Sequence, residues 1–207
     1  MPFQNRVQPN GELCAVNARG LFMGNRGGRI HNPETQELTG RTHASRRWLC
    51  CATSFKGWQR NVWGKFYTEL FFFDEVTALA AGHRPCFECR REEAVRFAAH
   101  WQNSEGLEKR PNSDEMDLVL HAQRCGHKKS PSPLPLINPE EEWPEGAVVE
   151  SEATFYALKQ GQWWQWGFDG YTLAKAKLPD QVSLITPPQI ISILRDGYRP
   201  RWGLFNI

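Results

Sequence analysis

The stretch Ala78 to Cys89, ALAAGHRPCFEC, constrains this chain more than any other. Asp74, a helix-capping residue type, precedes it, and Val76, Leu79 and Ala80 follow Asp74 as the apolar side of a short helix. Gly82 stands where such a helix ends most cheaply in a left-handed residue. The turn it releases carries Cys86 and Cys89, and a second helical pattern starts directly after. Two thiolates spaced in this way present both sulfurs on one side, and the helix N-terminus favours their negative charge. They read as half of a chelate, with Zn2+ the expected ion. A redox pair requires a strand before it in the thioredoxin manner, and here a helix pattern precedes it.

The other half of the chelate must come from upstream. Arg47 to Phe55, RWLCCATSF, reads as a strand with Trp48 and Cys50 on one face and Leu49 and Cys51 on the other. The expected ligand set is Cys50, Cys51, Cys86 and Cys89. Both adjacent cysteines reach one ion only if a bulge or turn breaks the strand at Cys50. If a single one binds, His43 or His83 is the nearest group to complete four ligands. Pro85, Cys86 and Cys89 also fit half of a zinc nucleobase deaminase site, but that chemistry needs a Glu two residues after the third ligand. Cys51 is followed by Ala52 and Thr53, so this class is set aside.

A short strand from Tyr67 to Phe73, a helix ending Ala-Leu-Ala-Ala-Gly, then Arg84, Pro85, Cys86 and Cys89 together resemble the Ada-type zinc-binding domain. That group comprises the N-terminal module of methylphosphotriester repair and related metal-binding modules. The likeness spans about residues 45–95. It implies a small zinc module and contact with DNA. In the family the remaining ligands are cysteines a few residues apart upstream, one of which accepts a methyl group from a DNA phosphotriester. Here the upstream cysteines are the adjacent pair Cys50 and Cys51.

Charge is distributed unevenly. Residues 1–65 hold ten Lys or Arg against three Asp or Glu, although the whole chain carries only +2. A basic segment upstream of a metal knuckle suits a nucleic-acid backbone, because each neutralised phosphate releases counterions. Arg26, Arg29, Arg41, Arg46, Arg47 and Arg60 are the candidate phosphate contacts, some within the glycine-rich stretch from Leu21. An ordinary solvated basic surface is the alternative. The glycine spacing matches neither a Walker loop nor a dinucleotide fingerprint. Trp58 and Trp63, interleaved with Arg60, are residue types that stack on bases. No run of about 18 apolar residues is present, nor an N-terminal apolar leader, so membrane insertion is not expected and a cytoplasmic protein is.

Downstream, Arg91 to Gln102 places Ala94, Phe97, Ala98 and Trp101 on one helical face, and Asn112 with Glu115 forms a capping box for a third helix ending near Gly126. His121, Cys125 and His127 lie at that end as a weaker second metal pattern. Residues 128–146 are too proline-rich for helix or central strand. Gln160 and Gly161 mark one hairpin, GFDG a second, and Thr186 with Gln189 a capped terminal helix. Trp163, Trp164, Trp166, Phe168 and Tyr171 read as core, with a pocket for a planar base the alternative.

The expected fold is α+β: a small Ada-like zinc module with short helices, then an antiparallel hairpin region and a capped terminal helix. Residues 1–127, 128–146 and 147–207 form the basic region with its zinc module, a connector and the hairpin region, either separate or fused. The expected function is zinc-stabilised nucleic-acid binding, DNA or RNA. A zinc- or thiolate-dependent enzyme on nucleic acid or nucleotide, acting either by thiolate attack on an alkyl group or through an N-terminal-loop site with His31, Glu34 or His43, and a zinc-stapled protein-interaction module are the alternatives.

Overall fold

The structure, a computed structural model, describes residues 2–57, 61–125 and 134–206. Trp58, Arg60, Gly126, His127 and the first residues of the proline-rich connector lie outside them. The described residues combine four helices with several sheets, a mixed α+β architecture.

The N-terminal part contributes β1 (Arg6–Val7), β2 (Leu13–Cys14), β3 (Phe22–Arg26), a separate hairpin of β4 (His31–Asn32) and β5 (Glu37–Leu38), then β6 (Trp48–Ala52) and β7 (Leu70–Phe72). Helix α1 (Glu75–Ala80) and strand β8 (Arg84–Pro85) complete this region. In space the first sheet runs β2-β1-β7-β3-β6-β8, with β8 lying parallel to β6. Helices α2 (Arg91–Ser104) and α3 (Ser113–Cys125) follow. The second sheet is built from β9 (Leu136–Ile137), β10 (Val148–Ser151), β11 (Thr154–Lys159), β12 (Gln162–Gly167), β13 (Gly170–Leu173) and β14 (Val182–Leu184), in the order β13-β12-β11-β10-β14-β9. Helix α4 (Pro188–Arg195) follows the second sheet.

Local signals explain most of these elements. Asp74 caps α1 through the Thr77 N–H at 2.8 Å, and Gly82 adopts φ +77° just beyond its end. Asn112 and Glu115 form the reciprocal box that starts α3. Gln160 and Gly161 both take positive φ between β11 and β12, as a two-residue hairpin turn requires. Described residues of the proline-rich stretch supply the edge strand β9.

Within the glycine-rich stretch from Leu21, Phe22–Arg26 is a central strand in which a Cβ at Gly24 would lie 2.0 Å from the Leu49 carbonyl oxygen. Two sequence expectations are corrected. The apolar run before α1 is strand only from Leu70, and Phe66 and Tyr67 are exposed. Thr186 does not cap α4; its hydroxyl accepts from the Val148 N–H instead. Pro188 at the first helical position has no N–H to satisfy, and the next donor, the Gln189 N–H, bonds Gln123 Oε1 of α3 at 3.1 Å instead.

All six residues of α1 are buried, and they join three cores. Leu79 packs with Phe97 and Trp101 of α2, Met116 and Leu120 of α3, and Ile190 and Ile193 of α4. Val76 and Ala80 pack with Val148, Phe155, Trp166 and Tyr171 of the second sheet. Ala78 lies against Phe22, Cys50, Leu70 and Phe72 of the first. Polar bonds follow the same lines: the Asp74 carboxylate accepts from Tyr171 Oη (2.8 Å) and the Gly203 N–H, and Glu75 accepts from Tyr198 Oη and pairs with Arg90. No helix among the described residues is long and apolar enough to cross a membrane.

Candidate metal centre and the cleft beside it

Strand register assembles the centre. The pairing of Cys50 with Pro85 along parallel β6 and β8 puts the next residues, Cys51 and Cys86, side by side. The turn after Cys86 brings Cys89 back until the Ala52 N–H lies 3.4 Å from its sulfur. The donor atoms of Cys51, Cys86 and Cys89 all lie within 4.8 Å of one another. Tetrahedral zinc with Zn–S bonds of about 2.3 Å needs sulfurs about 3.8 Å apart, so small side-chain rotations suffice to fit the ion. Hydrogen bonds from Cys51 and Cys89, with backbone N–H groups of Cys89 and Glu88, pull the Cys86 thiol well below its ordinary value. Those to Cys86 and Cys89, with burial, push Cys51 up. Three soft sulfurs on one side of the cleft lining are a donor set suited to zinc.

Cys50 does not belong to this group. The strand is unbroken, so Cys50 points to the opposite face, into the core with Phe22, Leu70 and Ala78. There it accepts from Arg90 Nη1 at 3.1 Å, and burial raises its pKa. His83 is also elsewhere, fully buried against Phe72 and Trp48. His43 stands edge-on to His121 at 4.8 Å. Among the described residues no other group of three or more His, Cys, Asp or Glu is placed to hold an ion, so His121 and Cys125 lack a described third partner. The triad therefore leaves a fourth coordination position without a protein donor among the described residues.

The three cysteines line a cleft of about 900 Å³ together with Asn25, Arg47, Lys65, Phe66, Tyr67 and Glu69. Part of its lining comes from the 61–69 segment, in which buried Trp63 donates its Nε1–H to the Glu69 carbonyl at 3.3 Å. The Trp63 ring stacks on His31, whose Nδ1 contacts Thr68 Oγ1 at 2.6 Å. His31 is thus a buried support for this segment. Phe66 is 80% exposed and Tyr67 47%.

Of the arginines expected at phosphates, Arg47 alone lines the cleft, where it also pairs with Asp114 in an exposed contact worth about 0–1 kcal/mol. Arg26 is 4% exposed, stacked on Trp48 and donating to the Gly11 and Thr42 carbonyls. Its burial lowers its pKa to about 9. As a residue of central β3 it is structural, which removes it as a surface phosphate contact. Arg29, Arg41 and Arg46 are exposed but away from the cleft lining, Arg29 bonding the Lys65 carbonyl. Arg60 lies outside the described residues. Sequence reasoning missed Asn25, Lys65, Phe66, Tyr67 and Glu69. One signal existed: Glu69 is a carboxylate inside an apolar run, costly unless it has a role.

Comparisons of the chain with protein-family models, curated proteins and solved structures found no match.

Proposed function

We propose that this chain is a zinc-dependent nucleic-acid-binding protein, in which zinc held by Cys51, Cys86 and Cys89 stiffens one wall of the cleft and the nucleic acid enters beside it. The observation that carries this reading is the position of the three thiols in the lining of a cleft of about 900 Å³ that exposed aromatic side chains also line. Phe66 and Tyr67 offer stacking faces, and Lys65 and Arg47 offer charge to the backbone. The resemblance of residues 45–95 to Ada-type zinc modules supports the same chemistry, with DNA the favoured form. Bound zinc would supply a Lewis acid and a fixed template. Arg90 would keep its place as a support, tying the Cys50 side of β6 to Glu75 of α1.

The second reading is an enzyme acting on nucleic acid or nucleotide. A three-ligand site open to a cleft is the arrangement in which a fourth position takes water or substrate, whereas structural zinc sites are closed by four protein ligands.

Elemental analysis tests the centre. One zinc per chain is expected, lost in Cys51→Ala, Cys86→Ala and Cys89→Ala and retained in Cys50→Ala. Fluorescence anisotropy with labelled oligonucleotides at several salt concentrations tests the binding, with log affinity falling linearly against log salt. Absence of zinc in protein prepared without chelator, or zinc that persists in all three variants, would refute the centre. Absence of salt-dependent binding would refute the nucleic-acid reading. Product formation that disappears with Cys51→Ala while the fold persists would select the enzyme.

A further inference from the structure

We propose that the cleft receives a single unpaired nucleotide and that Glu69 and Asn25 read its base, favouring bases that carry an exocyclic amine. This rests on the nucleic-acid reading above and specifies what that site takes.

The pairing of Gly24 with Leu70 on β3 and β7 sets Asn25 and Glu69 next to one another, on the cleft side of the sheet. Both are nearly enclosed, at 8% and 5% exposure. Asn25 Oδ1 accepts from the Gly27 N–H at 2.9 Å, which fixes the carboxamide and leaves its Nδ2 group as the donor not engaged by a described residue. Glu69 Oε2 accepts from the Trp63 N–H at 2.8 Å. Its Oε1 has no described hydrogen-bond partner, and no described cation pairs with the carboxylate. One backbone N–H occupies part of the carboxylate's acceptor capacity, and Oε1, which is not among the fully buried atoms, is open to the cleft, where a ligand bearing N–H groups takes the place of water.

The neighbouring acceptor and donor match the hydrogen-bonding edge of a nucleobase, and in a duplex that edge is already occupied. The ligand is therefore an unpaired nucleotide. Phe66 and Tyr67 offer the stacking surface such a base needs once it leaves the helical stack, and Lys65 and Arg47 are placed for its phosphate. Glu69 sets the preference. A carboxylate only accepts, and it accepts well from the amine of cytosine, adenine or guanine. The single ring N–H of thymine or uracil is flanked by two carbonyl oxygens that repel an approaching carboxylate. A volume of about 900 Å³ lies within the range of about 300–1,000 Å³ typical of small-ligand sites.

The test uses fluorescein-labelled single strands of twelve deoxycytidines or twelve thymidines and a twelve-base-pair mixed duplex, with anisotropy measured at pH 8 on zinc-loaded full-length protein. The two single strands differ at the group Glu69 would contact. The wild type is expected to bind the cytidine strand roughly tenfold tighter than the thymidine strand. It is expected to bind the duplex more weakly than either. Glu69→Gln, checked for fold and zinc content, should bring the two strands within about threefold without changing the salt slope, because a carboxamide donates as readily as it accepts. Phe66→Ala, at an exposed side chain, should weaken both strands by a common factor of roughly 5 to 150. Equal affinity for the two strands in the wild type, a preference surviving Glu69→Gln, or tighter binding of the duplex overturns the inference while the nucleic-acid reading stands. Failure of all three probes to bind overturns both.

Discussion

Cys50 and Cys51 show how far single residues were legible. Alternation along β6 already required the two side chains to diverge. Which one joined Cys86 and Cys89 depended on where β8 docks, and that is a tertiary fact. His83 was misread for a related reason: a histidine three residues before a metal cysteine resembles a ligand, yet the backbone turns it into the core against Phe72 and Trp48. Burial there first, and then the charges of Arg26 and Arg124, hold its imidazole well below its ordinary value. The unfolded chain takes up a proton at this residue near pH 6.5 while the folded protein refuses it, so stability present above that pH is lost as pH falls below it, at up to about 1.4 kcal/mol per pH unit. His43 and His121 shift in the same direction and add to the slope. In His83→Gln the side chain keeps an acceptor for Arg26, and the fall in urea stability between pH 7 and pH 5.5 should be shallower than in the wild type. Identical slopes would show that His83 does not govern the acid response.

The α4 cap apart, elements defined by their own residues were read correctly, whereas elements defined by neighbours were not. The ends of α1, the box of α3 and the β11–β12 turn follow from Asp74, Gly82, Asn112, Glu115 and Gly161. Strand β3 was hidden by Gly24, Asn25 and Arg26, which look like loop residues until the Leu49 carbonyl and the Phe72 ring are placed against Gly24. Glu69 was hidden by the apolar residues after it. Strand β8 has only two residues and could not have been found by pattern; it is held in part by a side chain. Arg84 forms a two-point bond with Asp117 of α3, Nε to Oδ1 at 2.9 Å and Nη2 to Oδ2 at 2.7 Å, with both groups buried. Through it α3 fixes the strand that carries Cys86 into the centre. Asp117→Asn leaves the buried guanidinium without its charge partner and should cost about 3–5 kcal/mol in denaturant unfolding. It should also weaken zinc retention under chelator challenge, although residue 117 contributes no ligand. Normal zinc retention alongside the stability loss would confine the pair to the helical core and separate it from the metal site.

At the scale of the molecule, the proline-rich stretch suggested a boundary between a zinc module and a hairpin region, but the cores ignore it. Leu79 of α1 is covered by Ile190 and Ile193 of α4, and Val76 by Phe155 and Trp166 of the second sheet. The hydroxyls of Tyr171 and Tyr198 reach back across the same divide to Asp74 and Glu75. A fragment of residues 1–127 would expose those apolar faces and leave two buried carboxylates short of donors, while losing roughly 1.5–3 kcal/mol for each large side chain uncovered. Since whole domains are stable by only about 5–15 kcal/mol, neither this fragment nor residues 134–207 is expected to unfold cooperatively alone. Mixing the two should restore a complex with a sharp thermal transition and zinc bound at one per pair, measured by calorimetry and elemental analysis. If 1–127 alone melts cooperatively and holds zinc, the zinc module is an independent unit and α1 gains its order from the first sheet. If only the mixture does so, the metal centre and its cleft depend on the C-terminal half, and substitutions at Tyr171 or Tyr198 will weaken zinc retention from a distance by loosening the helix that supports the cysteines.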